Sequence, residues 1–473
     1  MADAHLESPS YHIADVLASE NIQVFLPADT EFVARQDSYW SNTAKITPAC
    51  IVRPKSANDV SIIIKTLVKA DEKFAIRSGG HTQYAGANNI AGGVTIDLGL
   101  LNWTRFDENS KTVDIGPGGR WREVYAELEK HGRVVAGGRD GNVGVAGLIL
   151  GGGFTFFAAR HGFACNEVIA YEVVLADGRI LTADARTNED LFYALKGGSN
   201  NFGVVTNFKM KTHSSRQVWA GLNFFPKHVT PEAITALIRF TDNAHADPDS
   251  HLLFFFTYLA YVQLGGVERA PAYGEFLAQP ATMDTTKLTT VAGVIDEYDI
   301  APVNYYDTFF TATFKNDASI VAKASELHGQ LVEELQRVVP DGDFITQCLI
   351  QPLPKLYGEL SKKSGGSIMG VEDQPVNGLL FVAVVMVKTP EQEAFVYPKV
   401  KAWVDDLRKF ASTIENGNLP WIYMNYADKS QDVLGSYGIE NVMKMKDAAA
   451  KYDPKQIFQK LCPGGFKIAH VKY

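Results

Sequence analysis

Cysteine is scarce in this chain. The 473 residues hold four, Cys50, Cys165, Cys348 and Cys462, scattered without C-x-x-C spacing, so neither a disulfide framework nor a cysteine-ligated zinc site is indicated, and no metal site is expected. Long apolar runs are missing too. The longest, Leu379 to Val387, is too short to span a bilayer and reads as a buried strand. Basic charge is not in excess: 45 Lys and Arg stand against 54 Asp and Glu, and the net charge of −9 argues against broad binding of nucleic acid or anionic membrane. Two nucleotide signatures are absent. There is no G-x-x-x-x-G-K-[ST] and no G-x-G-x-x-G opening a helix after a strand, which argues against a P-loop ATPase and a Rossmann dinucleotide domain. Met1–Ser8 lacks the basic and then apolar pattern of a secretory leader, so an intracellular protein is expected.

Glycine, by contrast, is concentrated. The apolar strand Phe74-Ala75-Ile76 delivers Arg77-Ser78-Gly79-Gly80-His81, where two missing side chains let backbone N–H groups approach a phosphate beside an imidazole. A second loop follows. Gly137, Gly138, Gly141, Gly144, Gly147, Gly151, Gly152 and Gly153 punctuate an otherwise apolar segment, too many for an ordinary helix or strand. Their use is a compact backbone wall for a pyrophosphate and the edge of a ring system, which makes His81 a candidate anchor for a covalently bound flavin.

Taken in order, these motifs resemble the vanillyl-alcohol oxidase family of flavoproteins, and within it the berberine-bridge-enzyme-like branch. The resemblance rests on Arg77–His81; on Asn142-Val143-Gly144-Val145-Ala146-Gly147 with Gly151–Gly153; on Arg160-His161-Gly162; and on Leu195–Val205. It continues through Tyr423-Met424-Asn425-Tyr426, Tyr452-Asp453-Pro454 and Pro463–Phe466, and so spans nearly the whole chain. It implies FAD attached through the flavin 8-methyl carbon to His81. It places cofactor contacts at Arg77, Ser78, Gly79, Gly80, His81 and Thr82, at Asn142, Val143, Gly144, Gly147, Gly152 and Gly153, and at Asn166, Val205 and Asn425. Many relatives add a cysteine link to flavin C6; here the matching position is Asp140, so a single covalent bond is expected, and Cys165 reads as a small buried residue.

The resemblance assigns catalysis to Tyr426, as the group that removes a proton from substrate, with Tyr423 beside it. If the segment is extended, Tyr423 and Asn425 share one face and Tyr426 the other, so the two phenols converge only through a twist. Asp428 and Asp140 are acidic alternatives, and His161 reads as structural. The expected reaction is hydride transfer from a C–H bond of a small organic substrate, an alcohol, hemiacetal, amine or secondary-metabolite intermediate, with molecular oxygen reduced to hydrogen peroxide. In relatives the residue before the first glycine of the second loop gates oxygen, valine accompanying fast reaction and leucine dehydrogenase behaviour; here it is Val143. Alternatives are a dehydrogenase using another acceptor, a flavin-containing non-redox cyclase or isomerase, and a binding protein that keeps the fold without turnover.

Length predicts two domains of an α+β protein. Residues 1–211 alternate short strands, helices and hairpins: Ser56 caps a helix with Val60, Ile63, Ile64, Leu67 and Val68 on one face, and Asp177-Gly178 marks a two-residue hairpin. Residues 212–420 read as a substrate domain, an antiparallel sheet covered by helices near 231–244, 318–338 and 391–412, with apolar and aromatic runs at Trp219–Phe225, Leu252–Val262 and Gly378–Val387. Residues 421–473 return to the FAD-binding domain. Oligomeric state is left open.

Overall fold

A computed structural model describes residues 9–298, 302–339 and 341–471, with side chains from residue 12 onward. Met1–Ser8, read above for a leader, lies outside the described residues.

The glycine motif is presented by a small sheet. Strands Cys50–Arg53, Val94–Asp97 and Phe74–Arg77 run parallel, with Gln23–Phe25 antiparallel at the edge. The helix Ala57–Lys69 starts where expected, since the Ser56 hydroxyl accepts from the Asp59 N–H, and Val60, Ile63, Ile64 and Leu67 are fully buried beneath it. Burial of each such side chain contributes about 1.5–3 kcal/mol. The strand Phe74–Arg77 therefore ends on a rigid base.

A second, antiparallel sheet orders Thr104–Asp107, Thr112–Ile115, Val204–Lys211, Val168–Val174 and Ile180–Asp184. The hairpin at Asp177-Gly178 is wider than a two-residue turn. Leu175 N–H donates to the Arg179 carbonyl, Gly178 N–H donates to the Leu175 carbonyl, and the Asp177 carboxylate accepts from Arg179 N–H, so local bonds around the aspartate replace ladder pairing.

The third sheet is antiparallel throughout and extends from Val218–Phe224 to Asn418–Leu419 in sequence. Leu252–Val262 is not one strand but the hairpin Ser250–Phe255 and Tyr258–Gln263, because a continuous apolar run hides a turn at Phe256-Thr257. Every residue of Gly378–Val387 is buried. Phe381, Ala383, Val385 and Val387 pack with Trp403, Val404 and Leu407 of the helix Pro390–Ala411, while Val382, Val384 and Met386 pack with Trp40 of the first part of the chain. Covering on both faces removes the polar alternation a half-exposed strand would show.

After this sheet the chain comes back to the first one. The Phe458 ring meets Phe74 edge to face at 6.0 Å, Phe74 N–H donates to the Leu461 carbonyl, and the Asp453 carboxylate accepts from the N–H groups of Ile457 and Phe458.

Candidate functional site

The two glycine loops touch backbone to backbone. A Cβ placed on Gly79 would lie 2.6 Å from the Gly144 backbone, closer than real atoms approach, and Gly80 has φ +68°, which glycine adopts without penalty. Arg120 clamps the junction: its guanidinium donates to the Gly79 carbonyl at 2.9 Å and to the Asn142 carbonyl. Backbone bonds from Trp121 to Val143 and from Arg122 to Gly141 lay the second loop along the start of the helix Trp121–Glu129. Arg77 packs its guanidinium against the loop at Gly80, where a Cβ would lie 2.9 Å from Nε. Fully buried, it donates to the Arg35 carbonyl and the Ser38 hydroxyl and lies 3.7 Å from the centre of the Tyr39 ring.

Beside the junction the packing opens. The His81 imidazole is half-buried and stacks on Trp40 at 4.7 Å and 8°, while Trp40 N–H donates to the Gly80 carbonyl. In the short helix Val145–Leu150, Gly147 is exposed and a Cβ there would meet nothing within 4 Å; Val143, Leu148 and Leu150 are half-buried next to it. Backbone loops, an imidazole and an open apolar strip together fit a flavin dinucleotide. The neighbouring predicted contacts differ in character. Thr82 is half-buried, whereas Ser78 donates to the Pro117 carbonyl, Val205 is buried in its strand, and the Asn166 amide is spent on Phe163 N–H and the Ser361 hydroxyl. Gly152 and Gly153 have φ +97° and +81°, and Met369 and Ala164 press on them where side chains would be.

Met424–Tyr426 is a 3-10 turn rather than an extended segment, and this supplies the twist the phenols need. The Tyr423 and Tyr426 rings meet edge to face at 4.9 Å. Tyr423 is 1% exposed; its hydroxyl oxygen accepts from Phe154 N–H at 2.8 Å and from the Asn425 amide at 3.0 Å, and burial pushes its pKa above the usual phenol range. Asn425 also donates to the Leu148 carbonyl, and it fills the place a Gly151 side chain would take. Tyr426 is half-buried, and its hydroxyl accepts from Arg139 at 3.0 Å. The other arm of that guanidinium lies 3.0 Å from His251 Nε2, and burial, with Arg139 alongside, pulls the His251 pKa well below its ordinary value, so the ring is neutral and accepts.

Arg139, His251, Arg120 and Trp40 were not singled out by sequence. Position was the only signal available, Arg139 standing directly before Asp140 in the second loop. The acidic alternatives are committed elsewhere: Asp140 accepts from Asn142 N–H, and Asp428 from the Tyr397 hydroxyl and Ser430 N–H. The Cys165 thiol is fully buried, and burial pushes it up to about 12, which suppresses the thiolate.

Residues 48–184 match a family described as FAD binding domain. The chain is 36% identical over 463 residues to a FAD-dependent monooxygenase of Aspergillus calidoustus, covering 95% of this chain and 88% of the relative. It is 32% identical over 464 residues to the bifunctional solanapyrone synthase of Alternaria solani, again with 95% and 88% covered. Among solved structures, the fold is similar to a xylooligosaccharide oxidase from Myceliophthora thermophila, with TM-score 0.79, 20% identity and 98% and 100% of the two chains covered. It is also similar to an Acremonium strictum glucooligosaccharide oxidase, with TM-score 0.77, 18% identity, and 98% and 99% covered.

The loop contact generates a stability contrast. Gly144→Ala forces a methyl into the Gly79 backbone and is expected to cost about 1–3 kcal/mol in denaturant unfolding, whereas Gly147→Ala, entering open space inside a helix, is expected to be neutral or slightly stabilising. Equal losses in the two variants would show that the contact between the loops is not what limits substitution.

Proposed function

The chain belongs to the vanillyl-alcohol oxidase family of FAD-dependent oxidoreductases, in its berberine-bridge-enzyme-like branch, and from that premise we propose a flavin-linked oxidase acting on a C–H bond of a small organic molecule of secondary metabolism. Bound FAD would supply the hydride acceptor and the means of reducing oxygen to hydrogen peroxide. One observation carries the reading: a half-buried phenol, Tyr426, joined to a guanidinium beside the glycine wall and under an apolar roof of Leu349, Val382 and Met386. The roof takes up apolar parts of a substrate and keeps water out. Acting as the phenolate, Tyr426 takes the proton and becomes the neutral phenol, with the Arg139 guanidinium paired to that oxygen. Because neutral His251 accepts from the second arm, the guanidinium is fixed in place. Asn425 and Tyr423 brace the glycine wall against which the ring would lie.

Attachment is the first test. Flavin is expected to stay with acid-precipitated polypeptide, and the His81→Ala protein to release whatever it binds; flavin found on Cys165, or wholly dissociable from the unmodified protein, would refute the assignment.

For proton removal, Tyr426→Phe keeps the ring packing and is expected to slow anaerobic flavin reduction by about a hundredfold or more at near-normal flavin content. Arg139→Met is expected to slow the same step by roughly tenfold, the scale of one charge-assisted hydrogen bond. Normal reduction in Tyr426→Phe would move the role elsewhere.

Relatives named monooxygenases support a second outcome, oxygen incorporated into product, so the oxygen step needs its own measurement. Val143 is half-buried in the second glycine loop, and the extra methylene of leucine at that position would narrow the path of oxygen to the ring. Val143→Leu is expected to slow reoxidation in stopped-flow mixing with oxygen and leave anaerobic reduction untouched. An oxidase releases one peroxide per substrate with no label from isotopic oxygen in the product; label in the product would establish the monooxygenase reading instead, and slow reoxidation of the unmodified protein a dehydrogenase.

A further inference from the structure

We propose that His161, Glu167 and His213 bind a divalent transition-metal ion of the zinc class where the flavin-side sheet passes into the large antiparallel sheet. His161 ends the short helix Ala158–His161, Glu167 ends the 3-10 turn Ala164–Glu167, and His213 lies in the two-residue strand His213–Ser214 paired with Arg133–Val134. One donor atom from each lies within 4.8 Å of the other two. The imidazoles stack at 4.1 Å and 16°, the Phe157 ring lies near-parallel to His213 at 6.2 Å, and His213 Nε2 is 2.7 Å from Glu167 Oε2.

Two imidazoles and a carboxylate are a donor set that zinc takes with three protein ligands, leaving a fourth position for water. Bonds of about 2.1 Å to a tetrahedral ion hold ligand atoms about 3.4 Å apart. Binding therefore widens the His213–Glu167 pair, replacing the proton between them, and draws His161 inward by a ring rotation.

The adjacent cations do not block the position. Lys211, half exposed, lies 3.3 Å from Glu167 Oε1 and leaves Oε2 to the metal, while Arg160 is taken by both carboxylate oxygens of Asp249. A bound ion would tie the segment after the glycine wall to the strand that leads into the large sheet. None of its ligands belongs to the flavin site, so the inference stands apart from the proposed reaction.

The test uses flavin-loaded protein stripped with chelator and titrated with zinc chloride in a calorimeter. One saturable equivalent is expected, together with a thermal midpoint raised by about 2 °C or more. Cobalt(II) at the same site should give visible ligand-field absorption at wavelengths beyond the flavin bands. His161→Phe preserves the ring stack and Glu167→Gln the side-chain shape; each should weaken zinc at least about tenfold, the lower end of what is lost when a mere supporting group is removed. Flavin content and fold, read by absorbance and circular dichroism, should be unchanged in His161→Phe. No saturable binding, or unchanged affinity in His161→Phe and Glu167→Gln, would overturn the proposal.

Discussion

The backbone of Gly79 lies against the backbone of Gly144, and the geometry of the candidate site depends on that contact. One glycine comes from a parallel strand set, the other from the segment between two helices, and Arg120 bonds to carbonyls on both sides. The loops are held at a distance that excludes any side chain. Around the junction the anchoring is independent of a ligand: Arg77 is sealed among Arg35, Ser38 and Tyr39, and Trp40 is fixed to Gly80 by its N–H before its ring reaches His81. A preorganised wall loses little freedom when a cofactor settles against it.

The wall alone would be a binding surface. Beside it three distant segments converge: Arg139 comes from the second loop, His251 from the large sheet, and Tyr426 from the segment that returns after that sheet. Their sequence separations, 112 residues between Arg139 and His251 and 287 between Arg139 and Tyr426, require the large sheet to be docked with its Val382–Met386 face toward the flavin side. The continuous burial of Gly378–Val387 thus shapes the roof of the site as well as stabilising the sheet.

Features carried by local pattern were legible in the sequence. The Ser56 cap and the apolar face of the following helix, the long helices Ala318–Val338 and Pro390–Ala411, and the loops with their glycines all follow from spacing and residue type. Features made by tertiary convergence were not. Arg120 and Arg139 are ordinary arginines until the fold brings carbonyls and a phenol to them, and the Phe256-Thr257 turn is invisible because both arms of its hairpin are apolar. Likewise Met424–Tyr426 has the composition of a strand, yet it forms a turn in which Tyr426 N–H and Ala427 N–H donate to the Tyr423 and Met424 carbonyls and Asn425 reaches Leu148.

That bend separates two chemically identical side chains. Tyr423 is driven into the core, where its oxygen receives Phe154 N–H and the Asn425 amide, and where burial makes ionisation costly; its phenol is a structural post. Tyr426, one turn on, keeps an open edge and meets a guanidinium instead of amide donors. An amide dipole and a full positive charge at the same 3.0 Å differ in kind: the first satisfies a neutral hydroxyl, while the second makes a stronger, charge-assisted hydrogen bond. The two tyrosines are therefore told apart by partner and exposure, with Asn425 seated between them against the glycine wall.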